Sequence, residues 1–175
     1  SRLRRQPPLL SVRPAFQILQ LRGNLDTRMK KLENGDFDAI ILAGAGVKRL
    51  GWAEKITELL SVELSLPAIG QGALGIETKT NDEYINGLVD FFNHPETSWC
   101  VRGERALLTR LEGGCQVPIA AFGSLSGETI RIDGLVASTD GKTILKDTIS
   151  GHRDDCEKLG VELAERLLKM GAYDI

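Results

Sequence analysis

The stretch IAAFGSLSGETIRIDGLVASTDGKTILKDTIS, residues 119–150, decides how the second half of this chain folds. Residues 119–125, 129–138 and 143–150 read as three short strands, joined by turns at SGE and TDGK. Turns that short connect antiparallel neighbours. Working outward, residues 96–111 read as a helix that HPET at 94–97 starts, and 154–170 as a closing amphipathic helix. A three-stranded antiparallel sheet backed by helices makes residues 94–175 an α+β module.

Upstream the pattern changes. FQILQL at 16–21 reads as a strand, and residues 24–33 as a helix with Asn24 as N-cap, Asp26 in its first turn and Asn34-Gly35 closing it. FDAIILA at 37–43 is a nearly continuous apolar run, expected of a strand buried on both faces. A helix follows from about Gly46 to Leu60, with Gly51 as its weak point. This order predicts an α/β arrangement: a partial parallel-type sheet with right-handed crossover helices. Residues 1–11 read as a short helix that Pro7 and Pro8 end early or kink. LSLPAIGQGALGIETKT, 64–80, combines Pro67 with Gly70, Gly72 and Gly75, as a chain does when it passes between domains or shapes a cleft wall. Residues 81–93 read as a helix capped by Asn81.

The chain of 175 residues is long enough for one ordinary domain or two small ones. It has no apolar run of about 18 residues that would span a membrane, and no signal-peptide core at its start. Three widely spaced cysteines, Cys100, Cys115 and Cys156, argue against a disulfide framework and for a reducing, cytoplasmic setting. The net charge of −2 hides an asymmetry: the first 31 residues hold six Arg and two Lys against Asp26 alone. The excess of Arg over Lys favours an anion site, because guanidinium groups pair bidentately with carboxylate or phosphate. Aromatics at 5%, none interleaved with the basic residues, disfavour nucleic acid.

Two stretches could build that site. LRGNLDTR, 21–28, ends a strand at a glycine turn and starts a helix; ligands of open parallel sheets bind at such edges. Arg22 stands at that rim and Arg28 lies one turn into the helix. AGAG at 43–46, followed by Lys48-Arg49, repeats the arrangement. Arg4 and Arg5, being adjacent, diverge by about 100° on a helix, so sharing one ligand requires a large one. Cys100 and Cys156 fall on leucine-bearing helix faces and read as core fillers. Cys115 has no such periodicity; it follows Gly113-Gly114 on a loop beyond a helix C-terminus, which raises rather than lowers a thiol pKa. A thiol alkylated once and kept as an anchor fits better than a reactive thiolate. His94 and His152 have no zinc-like spacing, and His94 reads as a turn or cap residue.

Arg4-Arg5, LRGNLDTR, DAIILAGAGVKRLG (38–51), LPAIGQGALGIE (66–77) and LEGGCQVPI (111–119), in that order and spacing, resemble porphobilinogen deaminase, the hydroxymethylbilane synthase family. The resemblance runs along the entire chain. It implies an α/β domain of periplasmic-binding-protein type followed by the small α+β domain. Residues 1–66 would be the remainder of domain 2, 67–93 a segment crossing into domain 1, and 94–175 domain 3. It implies a transferase of tetrapyrrole (heme) biosynthesis that joins four porphobilinogen units with loss of ammonia and releases hydroxymethylbilane. A dipyrromethane cofactor would be attached through Cys115. Arg4, Arg5, Arg22, Arg28 and Arg49 would bind cofactor and substrate carboxylates, while Ser1, Asn24, Ala43, Gln71 and Gly72 line the cleft. The family's catalytic aspartate lies in an N-terminal segment that has no counterpart here, so no catalytic carboxylate is assigned and the chain alone is expected to be inactive. That missing half, or self-association, is expected to cover residues 1–93. The competing readings are a non-catalytic anion-binding α/β module with an incidental cysteine, and a thiol-dependent redox domain.

Overall fold

The computed structural model describes residues 6–112 and 118–175. Contacts divide them into two units, one of residues 15–61 and one joining 6–14 to 62–175.

In the larger unit the described part of the first helix is α1, Gln6–Val12, with Pro7 and Pro8 buried. The helix runs on past both prolines to Val12, so the expectation that they end it early is corrected. A Cβ on Gly141 would come to 3.4 Å of Pro7 Cα and Leu10 Cδ1, so α1 lies against the 138–143 turn.

The smaller unit holds α2, Leu25–Glu33, and α3, Gly44–Arg49. Residues 16–21 and 37–43 form no strand, which corrects both strand expectations, and no parallel sheet occurs among the described residues. A strand exists only through ladder partners, and a run of apolar residues does not supply them. Phe16, Leu19 and Ile41 are exposed instead of buried between layers. The helix expected to reach Leu60 stops at Arg49. Gly51, at φ +74°, takes the left-handed conformation that ends helices, and a short 3₁₀ turn, Ala53–Lys55, follows.

Returning to the larger unit, α4 runs from Glu83 to Val89 and is capped by Asp82, whose carboxylate accepts from Ile85 N at 3.0 Å. Asn81, the expected cap, sits before it at φ +62°. Next comes α5, Pro95–Glu112, with His94 at its start accepting from Thr97 N through Nδ1 at 3.3 Å. Then β1, Ile119–Ser126, β2, Thr129–Ala137, and β3, Ile144–His152, form an antiparallel sheet in the order β1-β2-β3. The last helix is α6, Cys156–Lys169. The module read from residues 119–150 is therefore observed, with each strand end within two residues of its expected place.

The core lies between this sheet and the pair α5 and α6. Leu107 and Leu111 of α5 and Leu163 and Leu167 of α6 meet Ile130, Ile132 and Val136 of β2. The other face buries Ala120, Leu135 and Ala137 under Val62 and Leu66. A Cβ on Gly160 would overlap the Gly103 carbonyl and reach 3.0 Å from Ala106 Cβ, so α5 and α6 touch backbone to backbone. Gly160→Ala should lower the stability of this unit by about 2 kcal/mol, because overpacking forces the helices apart. Urea unfolding followed by circular dichroism reads the loss; an unchanged midpoint would show that the helices are free to separate.

Candidate functional site

In the smaller unit the RGN turn is built by its own side chains. Gly23 sits at φ +120°, and a Cβ there would also lie 2.8 Å from Thr27 Cβ, so only glycine fits. Asn24 Oδ1 accepts from Thr27 N and Thr27 Oγ1, both at 2.8 Å, capping α2 as read from the sequence. Arg28 donates through Nε to the Gly23 carbonyl at 2.8 Å. One guanidinium N–H therefore holds the turn, and the others remain as donors on the same face.

The second glycine turn expected at AGAG is instead the first turn of α3, where Gly44 and Gly46 are helical, and it lies beside the Gly23 turn. A Cβ on Gly46 would be 3.2 Å from Leu25 Cδ1, the residue after the cap. Ala43 precedes α3 and accepts from Gly46 N at 3.0 Å and Val47 N at 3.3 Å. Met29 and Val47 are buried beneath, while Arg22, Asn24, Ala43 and Arg49 are exposed. The two turns and their arginines thus belong to one small unit.

In the larger unit, Gly70-Gln71-Gly72 forms a tight turn: Gln71 N donates to Ala68 O at 2.8 Å and Ala73 N to Gly70 O at 3.2 Å. Gly70 and Gly72 have φ +68° and +95°, and Gln71 and Gly72 are exposed. Behind the turn is a cavity of about 330 Å³, lined in part by His94, Thr97, Cys100, Glu104 and Phe122. Glu104 is a buried charged residue, 5% exposed. Its Oε2 accepts from Gly70 N at 2.6 Å and its Oε1 from Gly123 N at 2.8 Å. Burial pushes this carboxyl above the ordinary glutamate value, and the two backbone N–H bonds only partly offset it. Sequence reasoning missed Glu104, although it sits among Cys100, Leu107, Leu108 and Leu111 on the apolar stripe of α5, where an acid is out of pattern.

Burial raises the thiol pKa of both Cys100 and Cys156, with Glu104 adding to the effect at Cys100, so both stay protonated at neutral pH. Both contribute to the core, as their spacing predicted. Ser1, Arg4, Arg5 and Cys115 lie outside the described residues. Among the described residues no helix is long and apolar enough to cross a membrane.

The fold defines a protein of helices with a three-stranded antiparallel sheet, and its glycine-rich turns carry exposed arginines. Residues 1–87 match the family model described as porphobilinogen deaminase, dipyromethane cofactor binding domain, and 98–169 match the porphobilinogen deaminase C-terminal domain. The whole chain is 55% identical to the porphobilinogen deaminase of Geotalea uraniireducens, 58% to that of Geobacter metallireducens and 55% to that of Geobacter sulfurreducens. It covers 55% of the length of each relative. The chain belongs to the porphobilinogen deaminase family.

Gly23→Ala should destabilise the smaller unit by about 1–2 kcal/mol, through both the left-handed backbone and the contact with Thr27. Faster amide exchange across α2, with exchange in β2 unchanged, is the expected signature. Unchanged exchange in α2 would mean that the turn relaxes without cost.

Proposed function

We propose that this chain supplies the cofactor-binding and C-terminal parts of a transferase that joins porphobilinogen units into hydroxymethylbilane. The observation that carries this reading is the match of two consecutive domains of one family along the chain, with LEGGCQVPI intact at 111–119. The side-by-side turns support it, since each pyrrole of such a polymer bears acidic arms and the turns bear arginines. Dipyrromethane, when bound, offers the free pyrrole carbon to which the product chain is joined.

The protein's part is to hold and neutralise. Cys115 Sγ is the tether, a thioether that survives denaturation. Arg22 and Arg49 are exposed guanidinium groups for carboxylates, and Arg28 both locks the Gly23 turn and offers its remaining N–H groups. Arg4 and Arg5 extend that set, and Ser1, Asn24, Ala43, Gln71 and Gly72 are the further residues assigned to cofactor or substrate contact. A non-catalytic anion-binding module would share the arginines and leave the thiol unmodified. We place the enzyme in the cytoplasm, where Cys100 and Cys156 stay as the free thiols seen here.

The remaining length of the relatives bears on residues 15–93. Among the described residues, the exposed large apolar side chains lie mainly before residue 93, and only Val161, Met170 and Tyr173 follow it. Leu74, Ile76, Tyr84, Leu88, Phe91 and Phe92 are each exposed, and so many exposed large apolar side chains in one stretch ask for a cover. In the complete enzyme this part of the chain belongs to a domain of periplasmic-binding-protein type, and the rest of the protein covers these side chains.

Intact-mass analysis of the denatured complete enzyme should show the added mass of two linked pyrroles, absent in a folded Cys115→Ala variant. An unmodified wild-type mass favours the binding module. Arg22→Leu should lower turnover of porphobilinogen by about 10- to 100-fold, the loss of one charge-assisted carboxylate pair, with little change in melting temperature. Arg28→Leu should lower both, since it also frees the Gly23 carbonyl. Normal turnover in either variant would remove that arginine from the site. The chain by itself should associate with rising concentration in sedimentation; a monomer throughout would contradict this need for a cover.

A further inference from the structure

We infer that Glu104 is a positioning residue for the substrate cleft: its carboxylate clamps the Gly70–Gly72 turn to β1 and so fixes where Gln71 and Gly72 stand. This rests on the reading of that turn as cleft wall.

The geometry of the clamp is specific. Two segments far apart in sequence each present one backbone N–H, Gly70 at 2.6 Å and Gly123 at 2.8 Å, to the two oxygens of one side chain. A carboxylate has two acceptors and no donor, so it satisfies both. An amide of the same shape satisfies one and turns its own N–H₂ against the other. That accounts for a charge in a place where burial disfavours it, since bonds to an ionised acceptor are stronger than bonds to a neutral one. Position 104 belongs to α5, whose neighbouring turns are packed in the core, so the clamp refers the turn to the packed core. The hydrogen bonds within the turn, Gln71 N to Ala68 O and Ala73 N to Gly70 O, are local and do not tie it to the sheet. With Glu104 in place, one end of it is anchored.

The other titratable groups around the cavity are His94, Glu96 and Cys100, and the facing residues of β1, Phe122 to Leu125, carry none. The sign of the pH response follows. The folded protein binds the Glu104 proton above the ordinary value of 4.5, so this group favours folding increasingly as pH falls through that window. Protonation at the same time weakens the hold on Gly70. Mild acid should therefore loosen the turn without unfolding the domain.

The test uses the complete enzyme of this sequence. In the wild type, the amide proton signals of Gly70 and Gly123 should move together with pH, with one midpoint above 4.5. Glu104→Gln should abolish that joint titration and raise the KM for porphobilinogen about tenfold, while the covalent cofactor is still loaded; Glu104→Asp should fall between. If Glu104→Gln does not fold, the wild-type titration and the aspartate variant decide the matter. Independent titration of the two amides, or an unchanged KM in a folded, loaded Glu104→Gln, overturns the inference. A wild type that does not consume porphobilinogen overturns the cleft reading and leaves Glu104 a structural clamp. The amide titration, which needs no substrate, tells the two failures apart.

Discussion

Four positions without side chains set the distances in the C-terminal module. Gly103 and Gly160 let α5 and α6 meet at backbone contact, and Gly123 admits the backbone of α5 at Cys100 onto β1. Gly134 leaves room for Leu107, Leu163 and Leu167 above the middle strand. Because close-packed interiors respond to single methyl groups, a Cβ at Gly103, Gly123 or Gly160 would push on the backbone of a neighbouring element, and one at Gly134 would displace the leucine tips above it. Glu104 follows Gly103 directly. The close approach that buries the leucines also brings this carboxylate within bonding reach of Gly123 N on β1 and Gly70 N on the preceding turn. Packing and polar satisfaction are therefore the same constraint viewed twice.

The ionisable groups divide along that line. At the surface of the module, Arg102–Glu157, Arg110–Glu165 and Arg166–Asp147 pair across elements at 2.6 to 2.9 Å, but solvent screening keeps the contribution of each small. Inside, Glu104 has backbone donors in place of a cation. The two described cysteines are protonated fillers, Cys156 within the core and Cys100 at its edge. Neither of these thiols competes with Cys115 for the attachment role proposed above.

The two units differ in how far they satisfy their own apolar surface. Residues 94–175 contain nearly all of the main core cluster, whereas residues 15–61 bury Met29 and Val47 and leave Phe16, Leu19, Leu50 and Leu59 exposed. A helix pair with two buried residues gains little from burial, since each such side chain contributes roughly 1.5–3 kcal/mol against the ordering entropy of the segment.

Local pattern alone determined the module of residues 94–175, the capping of α2 by Asn24, the His94 cap and the core placement of Cys156, because each depends on neighbours within a few residues or on one helical face. It also marked RGN and GQG as special turns, where Gly23, Gly70 and Gly72 take the left-handed backbone that favours glycine, whereas the AGAG glycines it marked are helical positions of α3. Tertiary structure decided the rest. Whether 16–21 and 37–43 are strands depends on ladder partners from elsewhere in the chain, and an apolar run carries no information about whether they are present. Glu104 could be read from the sequence as an acid on the wrong face of a helix. That it binds two particular amide groups depends on Gly70 and Gly123 being brought to one point, 34 and 19 residues away along the chain, and only the packed fold brings them there.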